Sequence, residues 1–146
     1  MKYTLEIEIK KPRSKVIELF DNPDNMKKWQ PGLQKLEHVS GDPGQEGAKS
    51  KLWYTMGGRD VEMIETITKR NLPDEFHGTY EAPNVFNIIK NRFIEVDANT
   101  TKWISENEFQ MSGFMMKMMG MLMPGAFKKQ SAHYLNLFKQ FAESEE

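Results

Sequence analysis

Between Ala48 and Met111 the chain leaves no room for a crossover. Gly57-Gly58, Asn71-Leu72-Pro73-Asp74, Ala82-Pro83-Asn84 and Asp97-Ala98-Asn99-Thr100 are turn sequences of two to four residues. The stretches between them, Ala48–Met56, Arg59–Arg70, Glu75–Glu81, Val85–Val96 and Thr101–Met111, read as strands. Parallel neighbours need a dozen or more connecting residues, so these strands can only run antiparallel. Such a meander has one apolar face, and something must cover it.

The two ends of the chain supply the rest. Lys2–Lys10 alternates, with Tyr3, Leu5, Ile7 and Ile9 on one side and Thr4, Glu6 and Glu8 on the other. Pro12 suits the first position of a helix, whose apolar side is Val16, Ile17, Leu19 and Phe20. Asn22 is a plausible N-cap for a second short helix that carries Met26 and Trp29 and ends at Gln30-Pro31-Gly32. Leu33–Ser40 is a weakly patterned strand, and Gly41–Gly47 a loop without the Lys-Ser/Thr of a phosphate loop. At the C-terminus Phe127, Ser131, Tyr134, Phe138 and Phe141 recur at helical spacing in a long amphipathic helix, the natural cover for the sheet. The order β-α-α-β-β-β-β-β-β-α predicts an α+β chain, a single domain over residues 1–146 with seven antiparallel strands.

Composition narrows the function classes. Twenty Lys+Arg against twenty-one Asp+Glu give a net charge of -1, which favours neither nucleic acid nor an anionic surface. The chain has no Cys, which removes disulfides and thiolate chemistry. His38, His77 and His133 lack metal-ligand spacing, so no metal and no cofactor are expected. No secretory signal and no spanning segment is read, and the expectation is a cytoplasmic protein without stable membrane insertion.

The first strand, Pro12 with Val16-x-x-Leu19-Phe20, Asp21-Asn22-Pro23, Met26-x-x-Trp29-x-Pro31-Gly32-Leu33, and then Gly41 and Gly47 together resemble the START-related helix-grip superfamily, which includes polyketide cyclase/dehydratase-like and lipid-transfer-like proteins. The resemblance implies a curved seven-stranded sheet gripping a C-terminal helix, with a small hydrophobic ligand bound between them. It speaks to fold more than to activity.

The Gly57-Gly58 turn fixes a register: Met56 opposes Arg59, Tyr54 opposes Val61, Leu52 opposes Met63, and Ser50 opposes Glu65. Leu52, Tyr54, Val61, Met63 and Ile67 mark the core face, so Glu65 points inward. A buried carboxylate without a partner has a raised pKa, which suits a general acid or base; the bland alternatives are an internal ion pair or a position at the open rim. A two-residue Ala98-Asn99 turn would oppose Ile94 to Trp103, Arg92 to Ser105 and Ile88 to Phe109. That makes Arg92 an inward candidate for pairing with Glu65 or an anionic ligand. Tyr80 and Trp103 are large aromatics with a polar handle, suited to a pocket or to plain core packing.

Met115, Met116, Met118, Met119, Met121 and Met123 fall within nine residues and cover nearly the whole circumference of a helix. They read as a gate beside the interior, a loosely specified core, or a homodimer contact. Pro124-Gly125 is either a kink or a restart before the last helix.

Three functions stay open. A carrier of a lipid-like or polyketide-like molecule would line its cavity with Tyr54, Met63, Glu65, Tyr80, Arg92, Trp103, Phe109, Met119, Phe127 and Tyr134. A cyclase or dehydratase would use Glu65 as base with Arg92 or a tyrosine as polarising donor. A protein-interaction module of the chaperone-activator type would instead present the methionines to a partner.

Overall fold

Seven antiparallel strands form one sheet in the order β1-β7-β6-β5-β4-β3-β2 in a computed structural model, which describes residues 1–146 apart from the side chains of Gly120 and Pro124. The strands are β1 (Lys2–Ile9), β2 (Leu33–Ser40), β3 (Lys49–Met56), β4 (Arg59–Asn71), β5 (Glu75–Ala82), β6 (Val85–Asp97) and β7 (Thr100–Met111). Helix α1 (Arg13–Phe20), a 3-10 turn (Pro23–Asn25) and helix α2 (Met26–Trp29) separate β1 from β2, and α3 (Phe114–Leu122) and α4 (Pro124–Ser144) close the chain. This is the helix-grip α+β architecture expected from the sequence.

Local chemistry sets the boundaries. Pro12 stands just before α1 with an extended ψ of 145°, one residue earlier than the sequence pattern placed it. Asn22 does cap the next turn, accepting from the Asp24 N–H at 3.0 Å. Gly57 and Gly58 sit at φ 57° and 78°, the positive-φ pair a type I′ hairpin needs, and the β3–β4 register is the one that turn dictates. Met123, at φ -133° and ψ 52°, leaves the helical region, so Pro124 begins a new helix rather than kinking one.

The β6–β7 hairpin departs from expectation. Ala98-Asn99 is the two-residue turn, with Asp97 opposite Thr100. A bulge at Val96 then moves every later pair by one residue, so Phe93 opposes Trp103, Asn91 opposes Ser105 and Asn87 opposes Phe109. The inward face of β6 is therefore the Phe93 face. Arg92 lies outside, opposite Ile104, and is exposed. The β7 face that carries Trp103, Ser105, Asn107 and Phe109 points inward as expected.

Two apolar clusters form the core, the first of them packed against α4. In the first, Val16, Leu19 and Phe20 of α1, Trp29 of α2, Phe93, Trp103, and Leu135, Phe138 and Ala142 of α4 pack together. Its rings meet edge-on or stacked, with Trp29–Phe138 and Trp103–Phe138 centroids each 5.2 Å apart and Phe20–Phe93 5.0 Å apart. Phe138 is 0% exposed and Trp103 3%. The second, smaller cluster is Leu33, Leu52 and Tyr54, flanked by Met26, Leu36, Met56, Met63 and Tyr80. Arg70 clamps the frame by a bidentate pair with Asp21 at 2.8 and 2.6 Å.

Candidate ligand site

A polar seam runs between the two clusters. Cross-strand register carries Ser50 to Glu65, Glu65 to Tyr80, Tyr80 to Asn87 and Asn87 to Phe109, one inward row from β3 to β7. The next row contains Ile67, Gly78, Ile89 and Asn107, ending at Tyr3 on β1. Gly78 has a purpose here: a Cβ on it would come within 3.2 Å of the Thr66 carbonyl oxygen and 3.8 Å of the Tyr80 ring. The tight contact is the one with the Thr66 carbonyl, so a glycine lets β5 lie close to β4 beside the Tyr80 ring.

The polar groups are partly satisfied within the seam. Asn107 Nδ2 donates to Ser105 Oγ at 3.0 Å, Asn87 Nδ2 to the Glu108 carbonyl at 3.2 Å, and Trp103 Nε1 to Asn91 Oδ1 at 2.9 Å. Tyr54 donates to Gln30 Oε1 at 2.7 Å. On the α4 side, Tyr3 Oη and Ser131 Oγ lie 2.6 Å apart, and Phe109 packs between Tyr3 and Phe127. The indole N–H of Trp29 is buried with no acceptor among the described residues.

Glu65 is the carboxyl group of the seam. It is set deep in the interior, but solvent still reaches part of its surface. Desolvation raises its pKa above the ordinary carboxylate value, and the Tyr80 hydroxyl facing it offsets part of that rise. Tyr80 and Tyr54 are both raised in turn, first by their own burial and then by the Glu65 charge, with Tyr134 adding to Tyr54. Among the described residues Glu65 forms no ion pair. The internal ion pair with Arg92 is therefore corrected: the Val96 bulge turns that guanidinium to the outer face.

Of the residues singled out from sequence, Tyr54, Met63, Glu65, Tyr80 and Tyr134 come together, with Phe109 and Phe127 at the β1 side. Trp103 lies in the sealed aromatic cluster instead. Met119 is 42% exposed on α3. Sequence reasoning missed Asn87 and Asn91, because the unseen bulge put them on the wrong face, and Gln30, whose position in a turn gave no sign of its contact. Two open depressions lie toward the far ends of β3–β7, one around Glu81, Phe86 and Gln110 and one around Lys51, Glu62, Met63 and Ile64, so that Met63 alone of the residues grouped above lines one of them. Among the described residues no cluster of His, Asp or Glu is placed to hold a metal ion.

This fold is that of the helix-grip class. The chain belongs to the polyketide cyclase / dehydrase and lipid transport family, whose model matches residues 1–140. No curated protein matches it by sequence. Solved structures do match it. The Zhui aromatase/cyclase from Streptomyces sp. R1128 superposes with TM-score 0.81 at 14% identity, covering 98% of this chain and 93% of that one. A START superfamily protein from Mycobacterium smegmatis gives 0.77 at 8% identity, covering 97% of each. Norcoclaurine synthase from Thalictrum flavum, in complex with dopamine and hydroxybenzaldehyde, gives 0.74 at 13% identity, covering 100% and 88%. At these identities the likeness establishes the fold alone. Family and fold together point to hydrophobic ligand binding or polyketide cyclase-type function.

Proposed function

We propose that the interior under α4 binds a small ring-bearing hydrophobic molecule that carries oxygen substituents. The observation that carries this reading is Glu65, deep and solvent-reachable, faced by Tyr80 and unpaired with any cation among the described residues. A plain acyl chain has nothing to offer a row of Ser50, Glu65, Tyr80 and Asn87, and desolvating those groups against it would cost free energy. A phenol or enol would hydrogen-bond along the row while its ring rests on Met63, Phe109 and Phe127.

Native mass spectrometry of the freshly purified protein, with organic extraction of any adduct, tests the binding. The expected result is a stoichiometric adduct, or saturable one-to-one binding of 2-naphthol at least tenfold tighter than naphthalene. Equal affinity for the two probes, with no adduct, would sink the reading.

A second reading is supported by the raised Glu65 pKa: acid–base chemistry on the bound ring. The Glu65 carboxylate would take a proton from a carbon next to a carbonyl, while a Tyr80 or Tyr54 hydroxyl hydrogen-bonds the developing enolate oxygen. Glu65→Gln should then lower turnover of the extracted compound by about 10²–10⁴-fold. Unchanged turnover would leave a carrier.

A further inference from the structure

The near-neutral charge of the whole chain conceals a strong segregation. From Phe109 to Ala142 there is no Asp or Glu, while Lys117, Lys128, Lys129 and Lys139 all fall in that stretch. Lys139 is paired with Glu143 at 2.7 Å. The other three pair with no acid among the described residues. The excess acid sits in the rest of the molecule.

The same stretch holds the most exposed apolar surface of the protein. On α3 and the residue after it, Phe114 is 74% exposed, Met115 71%, Met121 83%, Leu122 74% and Met123 55%, with Met118 and Met119 also open. Phe114, Met118, Met121 and Leu122 follow i, i+4, i+7, i+8 and so form one outward stripe. Among the described residues of α3, Met116 alone turns partly inward. Soluble monomers rarely leave a contiguous patch of this kind uncovered.

We infer that α3 is a peripheral docking helix for an anionic lipid surface, with its Phe/Met/Leu stripe at the acyl boundary and Lys117, Lys128 and Lys129 at the headgroups. Charge complementarity selects this occupant. A second copy apposed on the same face would bring like-charged lysines together with no acid in the segment to meet them. A lipid surface of net negative charge takes the apolar stripe and the lysines at once. The nine-residue length of α3 suits lying in the interface; crossing needs roughly twenty apolar residues, and among the described residues no helix is long and apolar enough to cross a membrane.

Vesicle flotation tests it, with phosphatidylcholine vesicles against phosphatidylcholine–phosphatidylserine vesicles at a two-to-one ratio. The native chain should float with the anionic vesicles at least tenfold more than with the neutral ones, and less as salt rises. Lys117→Gln, Lys128→Gln and Lys129→Gln together should weaken binding roughly a hundredfold. Phe114→Ser, Met121→Ser and Leu122→Ser together should abolish it. All six side chains are outside the two apolar clusters, and circular dichroism confirms folding of each variant. No flotation of the native chain, or flotation unchanged in either triple variant, would overturn the inference. So would sedimentation velocity showing a dimer that the serine variant dissociates, since a second copy would then be the occupant.

Discussion

Two halves of one interior are built from the same strands and behave as opposites. Toward the α1 end, Phe20, Trp29, Phe93, Trp103 and Phe138 pack ring against ring, all but Phe20 buried. Toward the other end of the same strands, Glu65, Tyr80, Asn87 and Asn107 form polar inward rows, with Asn87 and Asn107 buried and Glu65 and Tyr80 half-buried. β6 alone contributes Phe93 to the first and Asn87 to the second, six residues apart on one face. The difference teaches where stability and function are divided. The aromatic end buries large area and accounts for the fold. The polar end keeps side chains whose hydrogen bonds are only partly met within the protein, and the proposed ligand would use what is left.

That division can be broken most severely at Phe138. Truncation to Ala should remove about 3–5 kcal/mol, because the ring is fully buried among four other aromatics that cannot all collapse into the void. Urea denaturation reads it directly. A loss below about 1 kcal/mol would mean the aromatic end is loosely packed and the contrast false.

Asn91 stands at the boundary and should matter next. Its Oδ1 accepts from the Trp103 indole at 2.9 Å, deep in the interior. Asn91→Ala should cost about 1–3 kcal/mol by leaving that N–H without an acceptor. Replacing Trp103 by Phe in the same background should then cost much less than it does alone, a coupling a double-mutant cycle measures.

At Glu65 the sign reverses. Its folded-state pKa is raised above the ordinary 4.5, so the folded protein binds more protons than the unfolded chain just above that pH. Stability is therefore intact below pH 4.5 and falls as pH climbs through the folded pKa. Glu65→Gln should stabilise at pH 7, by about 1 kcal/mol or about 3 °C in Tm. The gain should vanish near pH 4. A destabilised variant at pH 7 would mean that the carboxylate has a partner and that the polar end is structural.

How much of this was legible without coordinates follows from what each turn specifies. Gly57-Gly58 permits one hairpin geometry, and through it the sequence placed Tyr54, Met63 and Glu65 on the inner face. The helical spacing of Phe127, Ser131, Tyr134 and Phe138 likewise placed the cover. At Asp97–Thr100 the turn itself was readable, but the bulge at Val96 was not: a β-branched residue in an alternating strand carries no local mark of being unpaired. One unseen residue inverted β6, brought Arg92 in and left Asn87 and Asn91 out. The polar character of the site was thus hidden although its acidic centre was not.

The smallest expected effect is also the sharpest probe of the polar end. Tyr80 is 15 residues from Glu65 in sequence but directly opposite it across the β4–β5 pair. Its hydroxyl lowers a carboxyl pKa that burial raises. Tyr80→Phe removes one oxygen and leaves the ring beside Gly78, so stability should move by less than about 1 kcal/mol. The Glu65 carboxyl pKa should nevertheless climb further, because desolvation then acts without its counterweight. Carboxyl carbon chemical shifts followed through a pH titration resolve that change while leaving the surface glutamates as internal references. An upward move makes Tyr80 the group that tunes Glu65. A pKa that stays put or falls would mean the hydroxyl faces elsewhere, and the row from Ser50 to Asn87 would then be neighbours in register without being partners in chemistry.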